Sequence, residues 1–274
     1  MTQIMRFSRE YKKEDTIVDV KGVKIGGKFF AVAAGPCAIE SQEQYYETAK
    51  TVKESGANII RGSAFKPRTS PYSFQGLGHI GLKMIRDLSE DLDVVVETEV
   101  MDPRDAKVVA EHVDILRIGA RNMQNFDLLK EVSKLDKPVI LKRGIAATLD
   151  EWLFSAEYLM MNGNEDIILC ERGIRTFETA TRNTLDLVII SLLKKRTHLP
   201  IIVDPSHGTG KRDLIIPASK AAVAVNADGL LIEVHYCPDE ALCDGKQSLP
   251  PEMFRVLMKE LHPYLKLENK KITW

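Results

Sequence analysis

The sequence predicts an α/β fold: a single (β/α)8 TIM barrel with a short N-terminal β-hairpin extension. Three observations carry that expectation. Eight short apolar runs rich in β-branched residues recur between positions 30 and 230, about 29 residues apart. Helix-period stretches lie between them. The runs start apolar and end in ionisable groups. Strand–helix alternation at this spacing builds βαβ units on a parallel sheet, and eight such units close a barrel. No Gly-x-Gly-x-x-Gly follows the first run, which counts against an open dinucleotide-binding sheet.

The elements follow in order. TIVDVKGVKIGGKFF reads as a hairpin, with Gly22 and the Gly26-Gly27 pair as turn signals. Strands then begin near Phe30 (FAVAAGP), Asn58 (NIIRGSAF), Val94 (VVVETEV) and Ile115 (ILRIGAR). Four more begin near Val139 (VILKRG), Ile167 (IILCERG), Ile201 (IIVDPSHG) and Leu230 (LLIEVHY). Helices are expected in SQEQYYETAKTVKESG, DPRDAKVVAEHV and FETATRNTLDLVIISLLKKR. The first opens on a capping box, Ser41 to Gln44, and stops at Gly56. The division is residues 1–28 as extension and 29–274 as barrel. The tail LKLENKKITW is expected only to close the last helix.

Composition narrows the function. Of 274 residues 44% are hydrophobic and 28% charged, as in an ordinary globular enzyme. Lys+Arg 38 against Asp+Glu 39 leaves a net charge of −1, so no whole-molecule field draws nucleic acid or an anionic membrane. The longest apolar stretch, Leu185 to Leu193, is broken by Asp186 and falls short of the ~18 residues a membrane span needs. The N-terminus has no signal-peptide core. The four cysteines, Cys37, Cys170, Cys237 and Cys243, are therefore expected to be reduced, in a cytoplasmic protein.

Ionisable groups where buried strands finish are costly unless they serve a site, and a barrel enzyme carries its site at the carboxyl ends of its strands. Arg61, Lys66, Arg68, Arg121, Lys142 and Arg172 all fall there. Six cations on one face of a nearly neutral chain imply a highly anionic substrate, with two phosphates or a phosphate and a carboxylate. Cys37, His207, Glu233 and Asp244 fall on strands one, seven and eight and the loop beyond, which are neighbours in a closed barrel. Such a set suits Mn2+, Fe2+, Co2+ or Zn2+. Spacing alone equally allows Cys37 as a core thiol and Glu233 as an arginine's partner. Two motifs fail. Neighbours in DPSH cannot form a hydrogen-bonded relay in series, and HGTGKRD has Pro205 where a P-loop needs Gly. A Schiff-base role for Lys142 is weaker than its membership of the anion site.

AGPCAIES, IIRGSAFKPRTSPYSFQGLG, RIGARNMQN, VILKRG, ERGIRTFE, VDPSHGTGKR and LIEVHYCPDEALCDGKQSL run through most of the chain. With these motifs it resembles the 3-deoxy-D-arabino-heptulosonate 7-phosphate (DAHP) synthase family, in the microbial subgroup related to 3-deoxy-D-manno-octulosonate 8-phosphate synthase. The resemblance implies a TIM barrel that condenses phosphoenolpyruvate with erythrose 4-phosphate and releases phosphate, the first step of the shikimate pathway. It implies a divalent metal on Cys37, His207, Glu233 and Asp244. It assigns phosphoenolpyruvate to Arg61, Lys66, Arg121, Lys142 and Arg172, assisted by Ala120, and the aldose phosphate to Arg68 and Thr69 in KPRTS. Lys66, Cys37 and His207 are the implied catalytic residues, with Lys66 or water protonating the new alkoxide. KPRTS favours the heptulosonate product over the octulosonate one, the runner-up; a non-catalytic phosphoanion-binding barrel is the other alternative. The family is usually a dimer or tetramer, so a homo-oligomer is expected. The short ends imply that this chain alone is not feedback-inhibited by aromatic amino acids. A second thiol, Cys243 or Cys237, is expected beside Cys37, making the site oxidisable.

Overall fold

The computed structural model describes residues 3–273. Met1, Thr2 and Trp274, at the ends of the expected extension and tail, lie outside the described residues. The prefix forms β1 (Val18–Val20) and β2 (Val23–Ile25), paired antiparallel. Lys21 and Gly22 at the turn have φ of 51° and 89°, as a two-residue mirror-image turn requires.

Each of the eight expected runs contains a strand. They are β3 (Ala31–Gly35), β4 (Ile59–Arg61), β5 (Val95–Val100), β6 (Ile115–Ile118), β7 (Val139–Lys142), β8 (Ile167–Glu171), β9 (Ile201–Val203) and β10 (Gly229–Glu233). All neighbours pair parallel, and β10 pairs with β3 to close the barrel. Outside it run α1 (Gln42–Glu54), α2 (His79–Leu92), α3 (Ala106–Ala110), α4 (Phe126–Val132), α5 (Leu149–Met160), α6 (Val188–Arg196), α7 (Pro205–Thr209), α8 (Ile215–Ala224) and α9 (Pro251–Leu267). No helix among the described residues is long and apolar enough to cross a membrane.

Two cores follow from strand alternation. Val32, Ile60, Val96, Leu116, Leu141, Leu169, Val203 and Ile232 point outward into the large core beneath the helices. Ala31, Ile59, Val95, Ile115, Ile140, Ile168, Ile202 and Leu231 point inward. Val18, Val20, Val23 and Ile25 of the hairpin join that inner cluster, so the extension plugs the amino-terminal end of the barrel.

Three local expectations need correction. Ser41 Oγ accepts from the Gln44 amide at 3.0 Å, but Gln44 Oε1 accepts from Glu40 N (3.2 Å) and not from Ser41, so the capping box is half formed. FETATRNTLDLVIISLLKKR is helical only from Val188. Its first half is pinned as an antiparallel ribbon by Ile174–Thr184 backbone bonds of 3.0 and 2.9 Å, and exposed Phe177 has no apolar face to join. The tail also does more than end a helix. Lys271 bonds Lys28 and Phe30 through its backbone, and Lys270 Nζ reaches the buried Asp228 at 2.8 Å.

Candidate active site

The alternation that builds the inner core also builds the site. In six of the eight strands the inward position two residues beyond the inward apolar side chain is polar. Arg61, Glu97, Arg117, Lys142, Asp204 and Glu233 follow Ile59, Val95, Ile115, Ile140, Ile202 and Leu231 in this way, and all are buried. Together they cap the inner core at the carboxyl end. Arg143 and Glu171 have the opposite parity and pair with each other at 3.0 Å outside the barrel.

Four side chains converge as the sequence suggests. Candidate ligand atoms of Cys37, His207, Glu233 and Asp244 all lie within 4.8 Å of one another. Cys37 follows β3, His207 sits in α7 directly after β9, Glu233 ends β10, and Asp244 opens a turn with φ of 53°. Their chemistry fits a cation. His207 Nδ1 is 2.7 Å from Asp204 Oδ2. Burial pushes the His207 pKa down to about 4, so the ring is neutral with its one N–H committed to Asp204. Its Nε2 lone pair then faces Glu233 Oε1 at 3.1 Å. Glu233 is itself held ionised, against burial, by the charges of Arg61 and Lys66. Two acceptors facing each other repel, and a cation between them removes the conflict.

Asp204 was not among the expected site residues, yet it organises two of them. As N-cap of α7 it accepts the His207 amide at 2.9 Å, and its other oxygen meets His207 Nδ1 and, at 2.5 Å, Lys142 Nζ. The DPSH motif thus contains an Asp–His pair, whereas the Ser206 hydroxyl turns to the Glu233 amide at 3.0 Å and forms no relay. A buried carboxylate that fixes a ligand's tautomer commonly carries about 10–100-fold in metal affinity. Asp204→Asn is expected to weaken Mn2+ binding in that range, measured by metal titration; unchanged affinity would show that Asp204 does not position His207.

Of the two thiols expected near Cys37, the structure selects Cys243. The sulfurs are 2.9 Å apart, and Cys237 does not join the cluster of Cys37, Ala38 and Cys243. Burial holds the Cys37 thiol high, while the bond from Cys37 lowers the pKa of Cys243. Cys243 is therefore the readier thiolate. Peroxide treatment of chelated protein is expected to yield a thiol-reversible Cys37–Cys243 disulfide. Peptide mapping that finds Cys37 free in inactivated protein would contradict this.

Beside the quartet opens a cleft of about 270 Å3. Lys66, Arg68, Thr69, Ala120, Arg121, Lys142 and Arg172 line it, with His207 and Asp244 at its floor. The loop after β4 carries the first three. Lys66 N bonds Gln75 O at 2.9 Å, and Gly76 (φ 93°) stands where a Cβ would lie 2.2 Å from Ala64 O. Ala120 and Arg121 are presented by a turn after Gly119, whose missing Cβ would be 2.0 Å from Glu99 Oε1. Burial works against the Lys66 ammonium, but Cys37 and Glu233 outweigh it and raise its pKa. Burial lowers the pKa of Arg172, whose guanidinium, among the described residues, has only the neighbouring Gly173 carbonyl at 3.4 Å.

Arg61 is placed differently from its sequence-level expectation. It is fully buried below the cleft, 3.1 Å from Glu233 Oε1 and 3.8 Å from Glu97, and does not line the cavity. Its parity puts it on the barrel axis, where carboxylates already claim it. Arg117, Glu99 and Arg182 do line the cleft and were missed. Arg117 bonds Glu97 and Glu99 at 2.8 Å each, and its charge outweighs burial to keep Glu99 ionised. The inward parity of Arg117 from Ile115 was the available signal. Arg182 sits in the ribbon taken for helix.

The sequence model of the DAHP synthetase I family matches residues 12–267. The chain belongs to that family. It is 53% identical over 254 residues to the phospho-2-dehydro-3-deoxyheptonate aldolase of Thermotoga maritima, covering 93% of this chain and 75% of that protein. The crystal structure of DAHP synthase from Thermotoga maritima superposes with a TM-score of 0.95 at 50% identity, covering 99% of this chain and 79% of the other. A truncated form of the 3-deoxy-D-arabino-heptulosonate 7-phosphate synthase from that organism superposes with a TM-score of 0.90 at 47% identity, over 97% of both chains. A 2-dehydro-3-deoxyphosphooctonate aldolase of Francisella tularensis is 34% identical over 266 residues, 89% of this chain and 95% of the relative. DAHP synthases are thus nearer to this chain than the octulosonate enzyme.

Proposed function

We propose that this member of the DAHP synthetase I family condenses phosphoenolpyruvate with erythrose 4-phosphate in the cleft above Cys37, His207, Glu233 and Asp244, which hold a divalent ion. The observation that carries the reading is the meeting of a metal-competent quartet with a cleft lined by Lys66, Arg68, Arg121 and Arg172. Such an ion would supply Lewis acidity toward the aldehyde oxygen, and the thiolate–imidazole–carboxylate set suits Mn2+, Fe2+, Co2+ or Zn2+.

The chain's residues do the rest. Arg121 and Arg172, with the Ala120 backbone, grip the phosphate of phosphoenolpyruvate in planar guanidinium forks. Lys142, anchored by Asp204, and Lys66 face its carboxylate end. Arg68 and Thr69 fix the aldose phosphate and so aim the aldehyde carbon at C3 of phosphoenolpyruvate. C3 forms the new bond using the enol π electrons, C2 becomes positive, and Glu99 is the ionised carboxylate at hand to steady it. The Lys66 ammonium lies 4.0 Å from Asp244 and is placed to give its proton to the new alkoxide. Water adds to C2 and loses a proton. The C2–O bond to phosphorus then breaks, its electrons leave with the phosphate, and the C2 hydroxyl becomes the ketone. Phosphoenolpyruvate labelled with 18O at the bridging position is expected to yield 18O-phosphate. Label retained in the seven-carbon product would contradict C–O cleavage.

A further inference from the structure

Continuous with the main cleft, and sharing Thr69, Ala120, Arg121, Arg172 and Arg182 with it, lies a second cavity of about 160 Å3. Ile145, Arg175 and Asn183 complete it, and no carboxylate is among its lining residues. Four guanidiniums therefore surround a space that holds one tetrahedral oxyanion and a few waters of ~30 Å3 each. Arg172 is only 5% exposed and, among the described residues, no acid lies within ion-pair distance of it. Arg121 and Arg175 have neither a side-chain hydrogen bond nor an ion pair among the described residues, whereas Arg182 donates to Gln247 Oε1 at 2.9 Å and lies 3.7 Å from Asp244. Of the four, Arg121, Arg175 and Arg182 are exposed and only Arg172 is buried; a buried, unpaired guanidinium is costly and marks a place where an anion belongs.

The walls are built. Arg175 N bonds Ile145 O at 2.7 Å, Arg182 N bonds Thr209 O at 2.9 Å, and Asn183 bonds Gly208 O through its amide and His207 O through Nδ2 at 3.0 and 2.8 Å. Both ribbon arginines are thus tied by their backbones to the loops that carry the reaction.

We propose that Arg175 and Arg182, with Arg172, form a separate oxyanion subsite that receives the inorganic phosphate dianion leaving C2. This rests on the function proposed above. Arg121 and Arg172 face the phosphate while it is still bonded, and the next guanidiniums outward are those of the ribbon, so the released dianion moves along a row of like forks.

Inorganic phosphate is the probe, in the Mn2+-loaded enzyme. With phosphoenolpyruvate varied, phosphate is expected to inhibit in a mixed pattern, because it binds enzyme already loaded with phosphoenolpyruvate. Arg175→Gln should raise the inhibition constant for that complex about tenfold, Arg175→Lys less, and Arg68→Ala little. Strict competition with phosphoenolpyruvate, or an unchanged constant in Arg175→Gln, would overturn the subsite. A loss confined to Arg68→Ala would place the phosphate in the aldose subsite and overturn it equally. A second readout needs neither variant nor turnover. Phosphate should slow tryptic cleavage after Arg175 and Arg182 in the phosphoenolpyruvate-loaded wild type, and cleavage that ignores phosphate would contradict the proposal. An inactive enzyme whose ribbon phosphate still protects would instead refute the proposed reaction and leave the subsite standing.

Discussion

Dialysis against a strong chelator is expected to abolish turnover, and added Mn2+ to restore it. The size follows from the site. A metal acting as Lewis acid supplies several kcal/mol of transition-state stabilisation, and about 4 kcal/mol is about a thousandfold in rate. Arg61 is consumed by Glu233 and Glu97, and Lys142 by Asp204. The effect separates from a folding defect because the barrel is held by its two apolar cores, not by the quartet. Glu233→Gln should lose both activity and Mn2+ affinity while its unfolding remains cooperative. Full activity in a verified metal-free preparation would contradict the assignment.

The second large effect is a split between the two substrates. Arg68→Ala is expected to raise the KM for erythrose 4-phosphate about 30-fold with little change for phosphoenolpyruvate, and Arg172→Ala to do the reverse. The magnitude is that of one charge-assisted hydrogen bond of ~2 kcal/mol. Arg68 sits on the loop after β4, and Arg172 after β8, so the two lie on opposite sides of the cleft and each loss should stay local. Equal weakening of both substrates by both variants would show that the phosphate sites are assigned wrongly.

Much of this molecule is legible without coordinates. The eight strands are, because short apolar runs, most of them β-branched, alternate with helix-period stretches at a regular spacing, and their polar ends announce the site. The candidate metal quartet becomes legible only once closure is assumed, since Cys37 and Glu233 are far apart in sequence and adjacent only because β10 pairs with β3. Arg61 shows the limit of reading polar strand ends as one set. Depth along the barrel axis, not residue type, decides whether a cation meets substrate or a carboxylate beneath it. Arg117 and Asp204 were accessible by counting two residues on from Ile115 and Ile202. The ribbon that carries Arg175 and Arg182 was not, because FETATRNTLDL has helical spacing and only the long-range bonds of Arg175, Arg182 and Asn183 decide otherwise.

Aldose preference tests the central claim most directly. Purified, Mn2+-loaded protein with phosphoenolpyruvate should release phosphate rapidly with erythrose 4-phosphate and at least about tenfold more slowly, by kcat/KM, with arabinose 5-phosphate, since the longer sugar cannot place both its aldehyde and its phosphate against Arg68 and Thr69. Equal or faster turnover with arabinose 5-phosphate would contradict the account.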